Sequence, residues 1–288
     1  PAQSSAGLLT YKHTQNDDMD FTETITHLSL CSGYDGIGLG LRTVFPNLRE
    51  IAHVEIEAFA IANLVAKMET GKLDAAPIYT DLKTFPYADF RGCVDILSGG
   101  FPCQPFSAAG KRQATEDSRH LFPYIAKGIA ECRPAIVFLE NVEGILSCRT
   151  GDGEPVLQYV LRTLEGMGYS ATAGVFSAAE VGASHQRKRV FILGVADTDS
   201  TRLQGIKCSR GTDTEGRQKS DGQPAKCSTV PIARPGQRQY PHEEPRTKPK
   251  LGGAANGSSN RVDRLRLLGN GVVPATAAKA FKTLINRL

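Results

Sequence analysis

Short apolar runs alternate with longer amphipathic stretches along most of the chain. The apolar runs predict strands at 26–31, 50–54, 77–79, 94–97, 135–139 and 190–195. The stretches between them have helical periodicity and predict helices at 36–45, 57–69, 120–131 and 155–167. Strands and helices that alternate in this way predict an α/β fold, with a mostly parallel sheet covered by helices on both faces.

The same pattern divides the chain into four segments. Residues 1–24 are polar and aperiodic and predict a flexible N-terminal arm, whereas residues 25–195 carry the alternating pattern of the main domain. Residues 196–261 are rich in Gly, Ser, Pro, Arg, Lys and Gln, which is too little apolar material for a core, so we expect a small irregular insert. Residues 262–288 end in a predicted helix that we expect to pack back on the main domain.

Basic residues are concentrated in the insert. It contains 12 Lys and Arg against 7 Asp and Glu, a net charge of +5, which leaves −1 for the rest of a chain whose net charge is +4. Such a segment suits a surface that faces nucleic acid, because phosphate contacts dominate that kind of binding, and it equally suits a solvated loop. Composition leaves both interpretations open.

Size and cysteine content narrow the class of protein. The 288 residues, 40% of them hydrophobic, suffice for one large domain with an appendage. No run approaches the roughly 20 apolar residues that span a bilayer, and no signal-peptide pattern is present, so we expect a cytoplasmic protein. Seven cysteines, never spaced as CxxC, favour neither a disulfide framework nor a metal site. A zinc site at Cys208, Cys227 and His242 is an alternative with unusual spacing.

The loop at 99–107, with the sequence GGFPCQPFS, carries the clearest chemical pattern. Cys103 lies between two prolines on a glycine-rich loop that leaves a predicted buried strand. The prolines restrict the backbone, and the loop position exposes the thiol. This is the arrangement that a cysteine nucleophile needs.

Two further features predict a ligand site at the carboxyl ends of the strands. A glycine cluster after the first strand lets backbone approach a ligand closely, with tight packing as the alternative; it consists of Gly33, Gly36, Gly38 and Gly40. Glu55 ends the second predicted strand, where a carboxylate can bind the hydroxyls of a ribose. Asp81 ends the third, where it can accept from an adenine amino group. Helix capping is the alternative for both acids.

Four motifs occur along the chain in a characteristic order. They are the 99–107 loop, Glu140-Asn141-Val142, Arg187-Lys188-Arg189-Val190 and Gly269-Asn270-Gly271-Val272-Val273-Pro274. Together they resemble the motifs of the cytosine-5 DNA methyltransferases, over roughly 26–195 and 262–288. The resemblance implies a Rossmann-like class I methyltransferase fold with a target-recognition insert at 196–261. It also implies S-adenosyl-L-methionine as cofactor, double-stranded DNA as partner, and a monomer without metal or membrane contact.

The resemblance also implies catalytic roles. Cys103 would add to C6 of a flipped-out cytosine, which makes C5 nucleophilic toward the methyl group. Glu140 would donate to N3, which requires a raised pKa. Arg187 and Arg189 would bind the cytosine O2 and a neighbouring phosphate, with a plain edge-strand charge cluster as the alternative.

Binding residues follow from the same resemblance. The implied cofactor site consists of Cys31, Ser32, Gly33, Tyr34, Gly36, Glu55, Ile56, Asp81, Leu82, Gly100, Pro102, Leu121, Asn270 and Val272. The implied DNA contacts are Gln104, Ser107, Lys111, Arg112 and Arg119. Core packing is the alternative for Ile56, Leu82 and Leu121.

Two positions depart from the family pattern. Cys31 stands where an aromatic residue is usual, and Asp35 replaces a usual glycine, with Tyr34 before it. These departures predict a cofactor pocket of altered shape or charge. We expect Asp35 either to lie near the methionine end of the cofactor or to point to solvent.

Three other functions compete with DNA methylation. A tRNA cytosine-5 methyltransferase would use the same thiolate addition. A catalytically silent nucleic-acid or cofactor-binding relative would not need Cys103, Glu140 and Arg189, which this chain retains. A nicotinamide dehydrogenase would explain the alternation of strands and helices but not the cysteine loop.

Overall fold

The computed structural model describes residues 24–101, 121–197, 263 and 267–288. Its strands are β1 (Ile25–Leu30), β2 (Leu48–Val54), β3 (Ile78–Tyr79), β4 (Ile96–Gly100), β5 (Ile136–Val142), β6 (Tyr169–Ser177) and β7 (Lys188–Ala196). Its α-helices are α1 (Gly36–Arg42), α2 (Ala58–Glu69), α3 (Phe122–Cys132), α4 (Val156–Gly166) and α5 (Pro274–Ile285). Short 3₁₀ helices cover Tyr87–Phe90, Glu143–Leu146 and Ala178–Val181. None of the helices in these described ranges has the length and apolarity to cross a membrane.

The seven strands form one sheet in the order β3-β2-β1-β4-β5-β7-β6. The first five strands pair in parallel, and β7 runs antiparallel between β5 and β6. This topology confirms the predicted α/β fold with a mostly parallel sheet. Because β7 is reversed, its first residues lie at the same edge of the sheet as the carboxyl ends of β1 to β5.

Three strands, β4, β5 and β7, extend further toward that edge than their apolar runs predicted. β4 continues to Gly100 because Gly99 pairs with Leu30 and Gly100 pairs with Glu140. β5 likewise continues through Glu140 to Val142, where it pairs with β7. Backbone pairing therefore places the Glu-Asn-Val motif on a strand of the sheet.

β6 was not predicted at all. Its sequence, YSATAGVFS, offers mostly small side chains and no apolar alternation. It lies at the edge of the sheet, where five of its central residues are only partly buried. Pairing with β7, and not its own pattern, makes this segment a strand.

Two apolar cores sandwich the sheet. One face packs against α3 and α4 through residues such as Leu97, Val137 and Ile125. The other packs against α1 and α5, where Phe281 lies 5.3 Å from Phe138 between ring centroids. The C-terminal helix is thus part of the main core, and Phe281→Ala would cost about 3–5 kcal/mol.

Candidate active site

A cavity of about 730 Å³ opens at the carboxyl ends of β1 to β5 and the start of β7. Its wall combines the loop after β1, the ends of β2 to β5, Arg189 and the segment before α5. Twelve predicted cofactor residues line it: Cys31, Ser32, Gly33, Gly36, Glu55, Ile56, Asp81, Leu82, Gly100, Leu121, Asn270 and Val272. Ligands of α/β proteins bind at this edge because the strands end there and the loops diverge.

Glu140 and Arg189 form an ion pair at one end of the cavity. Arg189 Nε lies 2.8 Å from Glu140 Oε1, and Glu140 is 5% exposed. Burial raises the pKa of Glu140 to about 7, although the nearby charges of Arg189 and Arg187 act to lower it. Near neutral pH the carboxyl group therefore exists in both forms, so it can donate a proton and accept one again.

Gly100 and Asn141 hold this end of the cavity in place. A side chain at Gly100 would crowd Glu140, since its Cβ would lie 2.9 Å from Glu140 Oε2. Asn141 is 1% exposed, and its Nδ2 donates to the carbonyl of Phe101 at 3.0 Å. Asn141 was not among the predicted site residues, although it belongs to a quoted motif. It fixes the residue from which the cysteine loop departs.

Backbone groups shape the opposite end of the cavity. Glu55 is 7% exposed and accepts from two main-chain N–H groups, those of Gly33 at 2.6 Å and Glu57 at 2.8 Å. The carboxylate thereby fixes the loop after β1, in which the backbone of Gly33 has a φ of +56°. Its remaining lone pairs are free to accept from hydroxyl groups of a ligand.

The neighbouring wall combines polar and apolar groups. Asp81 accepts from the backbone N–H of Lys83 at 2.9 Å, which stabilises a turn and starts no helix. Leu82 is buried, whereas Ile56 is 73% exposed at the cavity mouth. Lys83 also lines the cavity, and sequence reasoning did not identify it.

The segment before α5 closes the cavity over α1. A side chain at Gly36 would collide with the carbonyl of Val272, and one at Gly40 would lie 2.5 Å from the carbonyl of Pro274. These two glycines of the predicted cluster therefore serve close packing, the alternative stated above. Packing this close brings Val272 into the cavity wall.

Among the described residues, two of the predicted site residues do not line the cavity. The Arg187 guanidinium donates to the carbonyls of Gly269, at 2.7 Å, and Gly271. The Tyr34 hydroxyl donates to the carbonyl of Val272. Both side chains contact the segment before α5 from outside the cavity.

Asp35 neither lines the cavity nor points to solvent. It is 1% exposed, and its Oδ1 accepts from the Ser29 hydroxyl at 3.1 Å. At φ 64° the backbone turns this side chain inward beside Gly38, which has no Cβ to obstruct it. Burial raises the pKa of Asp35. The expectation that it points to solvent is wrong, because its carboxyl group joins a buried polar cluster.

That buried cluster lies on the α1 face of the sheet. His27 Nε2 is 2.8 Å from Ser98 Oγ, and His53 pairs in register with Ser29. Burial lowers the pKa of His27 and His53 to about 4, so both rings are neutral at pH 7. Cys31, by contrast, lines the cavity, and burial together with the charge of Glu55 raises the pKa of its thiol to about 12.

Several predicted residues lie outside the described part of the chain. They are Pro102, Cys103, Gln104, Ser107, Lys111, Arg112 and Arg119, together with the alternative zinc ligands Cys208, Cys227 and His242. Within residues 24–101, 121–197, 263 and 267–288, no group of three or more His, Cys, Asp or Glu side chains could hold a metal ion.

The chain matches known protein sequences over most of its length. The family model described as C-5 cytosine-specific DNA methylase matches residues 25–243. The Type II methyltransferase M.PspPI of Psychrobacter sp. (strain TA137) is 32% identical over 170 residues, which cover 58% of this chain and 39% of that protein. The Type II methyltransferase M.NgoMIV of Neisseria gonorrhoeae is 32% identical over 170 residues, covering 59% of this chain and 51% of that protein.

Solved structures agree at the level of the fold. A crystal structure of a Spodoptera frugiperda DNMT2 mutant superposes with a TM-score of 0.50 and 19% sequence identity, over 62% of this chain and 51% of that chain. The matched part of this chain thus spans about half or less of the length of these relatives.

Proposed function

This chain belongs to the C-5 cytosine-specific DNA methylase family, as its four motifs predicted, and we propose that it transfers a methyl group from S-adenosylmethionine to C5 of cytosine in duplex DNA. The observation that carries the proposal is the position of Glu140. A buried carboxyl group with a pKa of about 7, paired with Arg189, lines the same cavity as the predicted cofactor residues.

The cavity residues suit S-adenosylmethionine. Glu55 presents carboxylate oxygens toward the position of a ribose, and Asp81 can accept from an adenine amino group. Ile56 and Leu82 offer apolar surface for an adenine ring. When bound, this cofactor supplies an electrophilic methyl group on a sulfonium.

The protein groups act on the cytosine ring. In the proposed reaction the Cys103 thiolate forms a bond to C6, and the displaced electron pair moves to N3, where Glu140 supplies a proton. Arg189 stabilises negative charge that develops at O2. The C4–C5 π electron pair of the resulting enamine would then bond to the methyl carbon, while the bond from that carbon to the sulfonium sulfur breaks. Loss of the C5 proton, expulsion of the thiolate and return of the N3 proton to Glu140 then restore the aromatic ring.

A target cytosine must leave the duplex to reach such a cavity. We propose that the 196–261 segment, with its net charge of +5, provides contacts to the DNA. Deleting residues 201–250 should abolish productive DNA binding and leave S-adenosylmethionine binding intact. Unchanged site selectivity in the deletion variant would refute this role.

The function is tested by incubating the protein with S-adenosylmethionine and either unmethylated genomic DNA or tRNA, followed by nucleoside mass spectrometry. We expect 5-methylcytosine in DNA, and base-resolution sequencing would then identify the target site. Cys103→Ser serves as the matched inactive control. Methylation confined to tRNA would instead support an RNA enzyme, and absence of any product would contradict the proposal.

A further inference from the structure

Arg187 contacts a distant segment of the chain. Its guanidinium donates through Nη1 to the Gly269 carbonyl at 2.7 Å and through Nη2 to the Gly271 carbonyl. The backbone of Arg187 has a φ of 33°, which a non-glycine residue rarely adopts. The planar fork of an arginine can hold two carbonyls at once, which a lysine ammonium cannot do in the same geometry.

Tyr34 also contacts this segment. Its hydroxyl donates to the Val272 carbonyl, and its ring lies so close to Gly271 that any side chain there would collide with it. Lys67 fixes Tyr34 in turn, because its Nζ lies 5.0 Å from the centre of the Tyr34 ring and donates to the Tyr34 carbonyl at 2.5 Å. Arg187 and Tyr34 therefore bind three main-chain carbonyls within residues 269–272.

The held segment is a wall of the cavity. Asn270, Gly271 and Val272 line it, whereas Arg187 and Tyr34 do not. Arg187 is half-buried against these carbonyls, and its partner residues in the segment stand more than 80 positions away in sequence. Its guanidinium is thus already engaged by two main-chain carbonyls of this segment.

We propose that Arg187 is a positioning residue of the cofactor site: together with Tyr34 it forms a clasp on residues 269–272, and the affinity for the methyl donor depends on this clasp. The proposal rests on the function proposed above. It assigns Arg187 to donor binding, whereas the motif resemblance assigns it to the cytosine or its phosphate.

The test compares Arg187→Ala, Arg187→Lys and Tyr34→Phe with Lys188→Ala. Lys188 is the matched control, because it neighbours Arg187 but is exposed and pairs with Glu143 at 3.5 Å. Titration calorimetry with S-adenosylmethionine, without DNA, measures the dissociation constant. Since hydrogen bonds from a charged donor are stronger than those between neutral groups, and Arg187 makes two, we expect a roughly 10- to 100-fold loss for both Arg187 variants. Tyr34→Phe should lose less, and Lys188→Ala should bind as the wild type does.

A second measurement needs no ligand. Hydrogen–deuterium exchange of the peptide covering 267–273 should rise in Arg187→Ala and Tyr34→Phe, and remain at the wild-type level in Lys188→Ala. The double variant Arg187→Ala/Tyr34→Phe should lose less affinity for S-adenosylmethionine than the sum of the losses in the two single variants, because both side chains hold the same segment. Circular dichroism confirms that each variant is folded.

The outcomes separate the two proposals. Wild-type donor affinity in Arg187→Ala, with loss confined to DNA affinity or kcat, would overturn the clasp, as would full recovery in Arg187→Lys. Unchanged exchange at 267–273 would overturn it as well. Failure of the wild-type protein to bind S-adenosylmethionine would overturn the proposed function, while raised exchange in Arg187→Ala would still establish that Arg187 holds the segment.

Discussion

The two ends of the cavity are built on different physical principles. At the Glu55 end, a carboxylate is fixed by the backbone N–H groups of Gly33 and Glu57. At the Glu140 end, a buried carboxyl group faces the Arg189 guanidinium, and its pKa is raised to about 7. The first arrangement fixes shape, and the second prepares a group to change its charge.

This difference predicts how the two ends respond to perturbation. Changes near Glu55 should act on binding of the cofactor, with little effect on the chemical step. Changes near Glu140 should act on the rate and on its pH dependence, because proton transfer depends on the balance between burial and the neighbouring cations. A substitution at one end that changes both the affinity for the cofactor and the pH dependence of the rate would contradict this division between the two ends.

The largest effect is expected for Glu140→Gln. The amide cannot transfer a proton to the ring, so kcat at pH 7 should fall by about 10²–10⁴. The dissociation constant for S-adenosylmethionine should stay unchanged, since the proposed ribose contact, Glu55, lies at the other end. Single-turnover methylation and calorimetry measure the two quantities. Glu143→Gln, an exposed neighbour, is the control, and equal loss in both variants would refute a special role for Glu140.

The complementary change is Glu55→Gln. The amide keeps one acceptor oxygen and replaces the other with an N–H donor, so the N–H of either Gly33 or Glu57 loses its acceptor and the loop should shift. We expect the dissociation constant for S-adenosylmethionine to rise by about 10- to 100-fold. At saturating cofactor kcat should remain near that of the wild type. Glu69→Gln, on the exposed end of α2, is the control. A loss in kcat without a loss in affinity would contradict the comparison.

A smaller effect is expected on the pH dependence of the methylation rate in Arg189→Gln. If protonated Glu140 is the active form, the rate should fall as pH rises through about 7. Arg189 acts to lower that pKa, so in Arg189→Gln the alkaline limb of the rate profile should move to higher pH. Single-turnover rates between pH 5.5 and about 9 test this shift. Arg162→Gln, which removes an exposed ion pair with Glu154, should leave the limb in place. A shift to lower pH in Arg189→Gln would contradict the assignment.

The smallest effect is expected for Asp35→Asn. Burial raises the pKa of Asp35 above the value of 3.8. The protonated Asp35 therefore makes its full contribution to folding stability below its ordinary pKa. That contribution is lost as the pH rises through the pKa of Asp35 in the folded protein. The amide stays neutral, so the variant should gain on the wild type as pH increases, by about 1 kcal/mol or about 2–4 °C in Tm. Thermal unfolding at pH 5 and 8 measures the change. The same difference in Tm between the variant and the wild type at both pH values would mean that Asp35 does not titrate between pH 5 and 8.

Much of this site follows from local sequence. Glu55 and Glu140 each end an apolar run, and in a parallel sheet such positions meet at one edge. The predicted alternation therefore sufficed to place both acids in one cavity. The fold class follows from the alternation of short apolar runs with helical stretches, which is typical of a parallel sheet covered on both faces.

Other features depend on contacts that no local pattern records. β6 has small side chains and becomes a strand by pairing with β7. The inward turn of Asp35 depends on its positive φ and on the absence of a side chain at Gly38. The contact of Arg187 with Gly269 and Gly271 joins segments that are separated by more than 80 residues. Sequence alone drew attention to Asp35 and Arg187 but not to the direction of their side chains, and it did not identify β6.

The central claim is that one cavity brings a methyl donor and a cytosine to Glu140 and to the cysteine loop. Duplex DNA containing 5-fluorocytosine tests it most directly, because fluorine at C5 blocks the final proton loss and leaves the protein attached to the ring. With S-adenosylmethionine present, intact-mass and peptide mass spectrometry should find a methylated DNA adduct at Cys103 in the wild type. Cys103→Ser should give none, and Glu140→Gln should form it far more slowly. An adduct at another cysteine, or none in the wild type, would contradict the claim.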